Sequence, residues 1–399
     1  MKKFFATLMT VTMVAGMLAG CGSAKEQPAT GSTSAEPNAA STAGTPLKIG
    51  MTGPLTGDNS AYGIAVRGGM QVAVDEINAK GGLQIDFRAE DDEADVSDKA
   101  VAAYNTLKDW GMQLFAGATT TGSSLTLAAE TANDEIFMLT PSASAMDVAM
   151  TGTNVHQMCF TDPNQGASAA ELMAQKWPDA TIGMIYDSSD AYSSGVAEGF
   201  LAKAQELNLN VAVSDAAFTA DNKADLSTQV TKCKDAGCDL VFLPFYYAEA
   251  SRVLTYANSI GYKPTFFGCD GMDGILTVEG FNHELAEGLV LMTPFDANAT
   301  DERTVAFVEQ FKANNDGLVP NQFAADGYDV IYALYDACVA AGIDGSTAPQ
   351  DACTKLCEQF QSMTFDGLTG KDMSWDANGM ISKAPAAVVV TDGVYVPMA

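Results

Sequence analysis

From Leu47 onward the apolar residues follow two alternating rhythms. Short runs that are continuous or repeat every second residue read as strands: "LKIGMTGP" (47–54), "LQIDFRAED" (83–91), "MQLFAGA" (112–118), "IFMLTPSA" (136–143), "TIGMIYDSS" (181–189), "VAVSDAAF" (211–218), "CDLVFLPF" (238–245) and "PTFFGC" (264–269). Between them lie stretches with apolar residues three and four apart, which predict helices. These are 61–82, ending at a glycine pair, 96–111, 123–135, 165–177, 191–208, 223–236 and 247–260. Strands alternating with helices of ten to fifteen residues or more predict parallel sheets wound by right-handed crossovers, an α/β fold. There are too many such units for one sheet, and the residues after position 46 exceed one ordinary core, so two lobes are expected.

In open α/β sheets ligands bind outside the carboxyl ends of the strands. The strand ends here read "GATTTGSS", "TPSAS", "YDSSDAY", "PFYY" and "GCDG". They are rich in hydroxyls and aromatic rings, and two carry acids, which suits a small polar organic molecule. Asp270 in "FFGCDGMDG" stands where a buried strand hands over to a loop, with little around it to solvate a charge. Capping of a turn is the structural alternative for this residue, and pairing with a ligand cation is the functional one.

The first residues change the setting. Lys2 and Lys3 precede the uncharged run "FFATLMTVTMVAGMLAG" and then Cys21, the layout of a signal peptide over 1–20. "LAGC" looks like the lipobox of bacterial lipoproteins, which implies a lipidated Cys21 as the mature N-terminus. Residues 22–46 are mostly Ser, Thr, Gly, Pro and Ala and cannot bury a core. As a flexible tether they would reach about 25–30 Å. The expected location is therefore extracytoplasmic, at the cell membrane.

Charge and motifs narrow the function. With 21 Lys+Arg against 50 Asp+Glu the chain carries −29, which argues against nucleic acid and anionic lipid surfaces as partners. An anionic group would need a local site. "GATTTGSS" (117–124) has the glycine spacing of a phosphate-binding loop but lacks the lysine after Gly122. Neither a G-x-S-x-G elbow nor H-E-x-x-H occurs, and the two histidines, His156 and His283, are far apart. Asp270 and Asp273 leave a two-carboxylate glycosidase arrangement open without specific support. The reading is that the chain is not an enzyme, with no catalytic residue, cofactor or metal. Of the eight cysteines, seven remain after Cys21, so at least one has no partner within the chain. Several fall on apolar helix faces, such as Cys353 and Cys357 with Leu356 and Phe360, as buried small hydrophobes do.

The segments "KIGMTGPLTGDNSAYGIAVRGGMQVAVDEINAKGG", "FAGATTTGSS", "LTPSAS", "CFTDPNQG", "YDSSDAYSSG", "YYAEASRVLTYANSIGYKPTFFGCDG" and "FAADGYDVIYAL" resemble, in order and spacing, the type I periplasmic binding proteins of the branched-chain amino acid (leucine/isoleucine/valine) ABC transport family. The resemblance covers residues 47–383. It implies two lobes, each a doubly wound, mainly parallel sheet, joined by a three-strand hinge. By analogy lobe 1 is 47–164 plus 294–383 and lobe 2 is 165–293 plus 384–399.

It further implies that Thr121, Ser142 and Ser144 bind a ligand carboxylate. Tyr192 and Tyr246 would lie near its amine and the cleft, Tyr62 and Phe295 would wall the side-chain pocket, and Asp270 would pair with the α-ammonium. Many family members have Glu at the position of Asp270. Neutral hydroxyls and backbone N–H groups at a helix N-terminus hold a carboxylate without a basic residue, although Ser and Thr at such places also cap helices. The function so implied is capture of a zwitterionic, apolar or branched-chain amino acid for a membrane ABC permease, by a monomer that closes on its ligand. The alternatives are a sensor component, or the same fold holding an amide or short organic acid.

Overall fold

The computed structural model describes residues 44–398. The signal peptide, Cys21 and nearly all of the tether lie outside the described residues.

The chain begins with β1 (Leu47–Gly53), α1 (Ser60–Lys80), β2 (Ile85–Asp91), α2 (Asp98–Trp110), β3 (Leu114–Phe115), α3 (Thr121–Asp134), β4 (Met138–Thr140), α4 (Met146–Met150) and β5 (Val155–Gln157). Their strands form one sheet in the order β2-β1-β3-β4-β5, parallel throughout. Apart from β2, these strands are buried almost end to end, as expected where helices cover both faces of a parallel sheet.

The next elements are α5 (Asp162–Lys176), β6 (Ile182–Asp187), α6 (Ala191–Glu206), β7 (Val211–Phe218), α7 (Ser227–Asp235), β8 (Leu240–Leu243), α8 (Tyr247–Ser259), β9 (Thr265–Gly268) and β10 (Val290–Thr293). After them come α9 (Glu302–Asn314), α10 (Gln322–Ala341), α11 (Pro349–Phe360), a two-strand ribbon β11 (Thr364–Phe365) and β12 (Met373–Ser374), and a terminal hairpin β13 (Ala386–Thr391) and β14 (Val394–Pro397). The second sheet runs β14-β13-β10-β9-β8-β6-β7, with the hairpin antiparallel to a parallel body.

The protein is thus two-lobed, and the chain passes between the sheets three times: after β5, after β10 and before β13. The helices α9, α10 and α11 pack back onto the first lobe, mainly through α1.

Glycines set how closely the covering helices approach. A Cβ on Gly69 of α1 would stand 1.8 Å from the Ala324 carbonyl oxygen of α10, and one on Gly166 of α5 would stand 2.3 Å from the Val196 oxygen of α6. No other residue leaves the backbones that near.

At the hinge Lys383, just before β13, donates to Asp326 Oδ1 of α10 at 2.6 Å and to the Met158 carbonyl at 3.0 Å. Both charged side chains are almost wholly buried. This ion pair ties the first and third crossings to one helix.

The strands expected at 112–118 and 136–143 are much shorter in the structure. Their second halves leave the sheet as the hydroxyl-bearing loops 117–120 and 141–145. The helix expected from 165 begins at Asp162 instead, because Pro163 fits the first helical turn, where its missing N–H costs nothing. The seven cysteines among the described residues are free thiols, all but Cys357 buried.

Candidate functional site

A small cavity of about 20 Å³ lies between the lobes at the carboxyl ends of both sheets. The first lobe contributes Tyr62 at the start of α1, the run Thr119–Thr121 leading into α3, and Ser142 and Ser144 after β4. The second lobe contributes Tyr192 at the start of α6, Tyr246 before α8, and Asp270 with Gly271 after β9. Phe323 in the first turn of α10 closes the remaining side.

The hydroxyl wall is organised around a helix terminus. Thr121 is the first residue of α3, and no side chain caps that helix, so its leading N–H groups lack the usual side-chain acceptor. The Thr121 hydroxyl accepts the Ser144 N–H at 3.3 Å, and the Ser142 hydroxyl donates to the Thr119 carbonyl at 2.6 Å. These bonds fix the Thr121 and Ser142 hydroxyls beside a positive helix end, with no basic residue in the lining. Ser123 turns away and donates to the Asp95 carbonyl at 2.8 Å.

The opposite wall is built around one carboxylate. Asp270 Oδ1 accepts the Tyr192 hydroxyl at 2.7 Å and the Gly271 N–H at 2.8 Å, while its own N–H donates to Gln165 Oε1 at 3.1 Å. Asp270 is 3 % exposed, and burial pushes its carboxyl up to about 6 against the pull of the Tyr192 hydroxyl. Tyr192 in turn stacks on Tyr246, ring centroids 5.2 Å apart.

Further acids surround this wall. Neither oxygen of the buried Asp162 has a well-aligned hydrogen-bond partner. The nearby Ser144 hydroxyl favours its charged form, but burial dominates and raises it well above the ordinary range, with Asp270 adding repulsion. A site with hydroxyl and N–H donors on one lobe and a desolvated carboxylate on the other is suited to a small molecule carrying an anion at one end and a cation at the other.

Of the residues singled out in the sequence, Tyr62, Thr121, Ser142, Ser144, Tyr192, Tyr246 and Asp270 meet in this cavity. Phe295 does not. It follows β10, packs edge-on against Phe307 with centroids 5.9 Å apart, and donates its N–H to the Thr293 hydroxyl. The aromatic side of the cavity is instead Tyr62 against Phe323, centroids 4.6 Å apart. Phe323 opens the helix in "FAADGYDVIYAL", and its position beside Tyr62 is a long-range contact that no local pattern announces. Thr119 and Thr120 were visible as hydroxyls of the same loop.

The adjacent tyrosines separate cleanly. Tyr246 lines the cavity, whereas Tyr247 turns to α1, where its hydroxyl accepts the Ala61 N–H at 3.1 Å. Asp273 points away as well, its Oδ2 accepting the Gln322 N–H at 3.1 Å, so the lining contains a single carboxylate. His156 is a core residue between Phe137 and Phe360, and burial lowers it to about 4. Among the described residues no His, Cys, Asp and Glu group is arranged to hold a metal ion.

A family described as periplasmic binding protein matches residues 46–393. The chain belongs to that family. Its relatives include the Leu/Ile/Val-binding protein BraC3 of Rhizobium johnstonii, 28 % identical over 77 % of this chain and 81 % of its own length. Another is the leucine-, isoleucine-, valine-, threonine- and alanine-binding protein of Pseudomonas aeruginosa, 26 % identical over 84 % and 86 %. Among solved structures, the leucine-binding protein LivK of Thermotoga maritima superposes with a TM-score of 0.78 at 26 % identity, covering 88 % of this chain and 98 % of its own. The branched-chain amino acid binding protein LivJ of Streptococcus pneumoniae, solved with isoleucine, gives 0.77 at 25 % over 88 % and 97 %.

Proposed function

We propose that this protein is the extracytoplasmic solute-binding component of an ABC importer and captures an α-amino acid zwitterion between its lobes. The observation that carries the reading is the opposition of Asp270 on one lobe to Thr121, Ser142, Ser144 and the α3 terminus on the other. An α-carboxylate meets the hydroxyls and N–H groups, and the α-ammonium meets Asp270, so each end of the ligand is held by a different lobe. Contacts that exist only when both lobes engage are what shifts an open–closed equilibrium. The lobes in this reading are 47–164 plus 294–383 and 165–293 plus 384–399, and the closed form is what a membrane permease would recognise. The names of the relatives support amino acid transport.

The protein acts here as a binder without turnover, and the lone carboxylate in the lining favours that over two-carboxylate hydrolysis. We assign Cys21 as the lipidated N-terminus of a monomer held at the membrane. Metabolic labelling with a fatty acid should then mark the unaltered protein and leave Cys21→Ala unlabelled.

The decisive experiment is a thermal-shift screen of the purified protein, unfolded and refolded to strip ligand, against the twenty amino acids, simple amides and short organic acids. A ligand that binds only the folded state at a hundredfold excess over Kd adds about 2.7 kcal/mol of stability. The expected result is a shift with amino acids that Asp270→Asn abolishes, since removing one partner of a buried charge pair costs about 2–5 kcal/mol. A shift with amides or acids alone would refute the zwitterion assignment.

A further inference from the structure

The cavity lining is unusual for a site expected to take an aliphatic side chain. Beyond the threonines, serines, Asp270 and Gly271 it contains only the rings of Tyr62, Tyr192, Tyr246 and Phe323, with no Leu, Ile, Val, Met or Ala. With the carboxylate at the α3 terminus and the ammonium at Asp270, a side chain is left the sector bounded by Tyr62 and Phe323.

That sector is braced from both lobes. Tyr62 belongs to the first lobe, yet its hydroxyl donates to the Gly271 carbonyl and accepts the Tyr247 N–H at 3.2 Å, both in the second. Its ring also lies against Tyr247 and Phe323, with centroids 4.7 Å and 4.6 Å away. Further interlobe bonds run alongside: Ala61 N–H to the Tyr247 hydroxyl, Gln322 N–H to Asp273, and Arg252 to Asp58 at 3.1 Å.

The cavity, at about 20 Å³, has room for roughly one water molecule. Any amino acid, glycine included, exceeds that volume, so binding already moves Tyr62 or parts the lobes, and a larger side chain demands more of both. Each extra side-chain carbon therefore lengthens more of these buried bonds, and a buried donor or acceptor left unpaired is costly. The lining offers no aliphatic surface in return.

Resting on the amino acid reading above, we propose that this site selects small α-amino acids, glycine, alanine and serine, over the branched-chain ones, with Tyr62 and Phe323 as the residues that set the limit. The mechanism is exclusion: the Phe323 ring, and the Tyr62 ring with its cross-lobe bonds, resist opening, so closure weakens as the side chain grows.

Isothermal titration of the refolded protein with glycine, alanine, serine, valine, leucine and isoleucine tests this directly. Alanine or serine should bind at least tenfold tighter than leucine. Phe323→Ala should narrow that ratio at least tenfold by admitting the larger side chain. Tyr62→Phe keeps the ring, removes both cross-lobe bonds and is the gentler change; it should narrow the ratio in the same direction. Leucine, isoleucine or valine binding as tightly as alanine and serine would overturn the size limit while leaving the zwitterion site intact. Binding of no amino acid would overturn both readings together, and a ratio unmoved in both variants would overturn the roles of Tyr62 and Phe323.

Discussion

Tyr192 gives its hydroxyl hydrogen to Asp270 at 2.7 Å, so the phenol controls how easily the acid ionises. Burial raises the Asp270 carboxyl to about 6, and the Tyr192 hydroxyl works against that rise. An α-ammonium pairs with the ionised form alone, so affinity should fall as the pH drops through about 6. In Tyr192→Phe the carboxylate loses a donor, its pKa rises further, and the midpoint of the affinity–pH curve should move upward. Titration calorimetry from pH 5 to pH 8 on both proteins checks this; coincident midpoints would remove Tyr192 from the ammonium site. Asp270 itself was legible because a lone acid after "PTFFGC" has no solvent to explain it. Phe295 was misplaced for the complementary reason. An aromatic residue just past a strand can face either way, and the packing of Phe307, outside its own element, decides it.

At the scale of elements, the alternation of strand and helix was readable because each carries its own period, and the parallel body of both sheets followed from it, though not the antiparallel hairpin that ends the second. The short pieces α4, β5, β11 and β12 had no such signal, being too few residues for a period to show. The interlocking of helices from distant parts of the chain was equally hidden, since nothing near Lys383 announces its partner Asp326 in α10. That pair yields a prediction at this scale. Lys383→Met leaves a buried carboxylate without its cation, and breaking such a pair costs about 3–5 kcal/mol. Burial already holds Asp326 up at about 7 despite the lysine, so the acid in the variant escapes the penalty by taking a proton. The loss of stability should therefore be large at pH 8 and shrink toward pH 5. The double variant Lys383→Met with Asp326→Leu should recover much of it. Denaturant unfolding of the three proteins at both pH values is the measurement, and an equal loss at both would contradict a charge-based cause.

For the whole molecule, the buried acids set an unusual dependence of stability on pH. Burial raises Asp92, Asp190 and Asp270 to about 6, Asp273 and Asp326 to about 7, and Asp162 well above its ordinary range. Each holds its proton more tightly folded than unfolded, where an aspartate has a pKa near 3.8. Their contribution is therefore present in full below about 4 and is lost as the pH climbs through about 6 to 7. The acids whose pKa is lowered, Asp91, Asp95, Asp215, Asp225, Asp301 and Asp344, are mostly solvated and act below the normal aspartate range, where they lose their effect on acidification. Self-repulsion at a net charge of −29 works in the same direction as the buried group, easing as carboxylates take protons. The ligand-free protein should therefore melt at a higher temperature at pH 5 than at pH 8. An amino acid reverses the trend locally, because its ammonium rewards ionised Asp270, so the rise in melting temperature on adding ligand should be larger at pH 8 than at pH 5. Calorimetric scans with and without ligand at the two pH values separate these effects. A ligand-free melting temperature that climbed from pH 5 to pH 8 would mean that the buried carboxyls are ionised and paired, and that burial does not hold their protons.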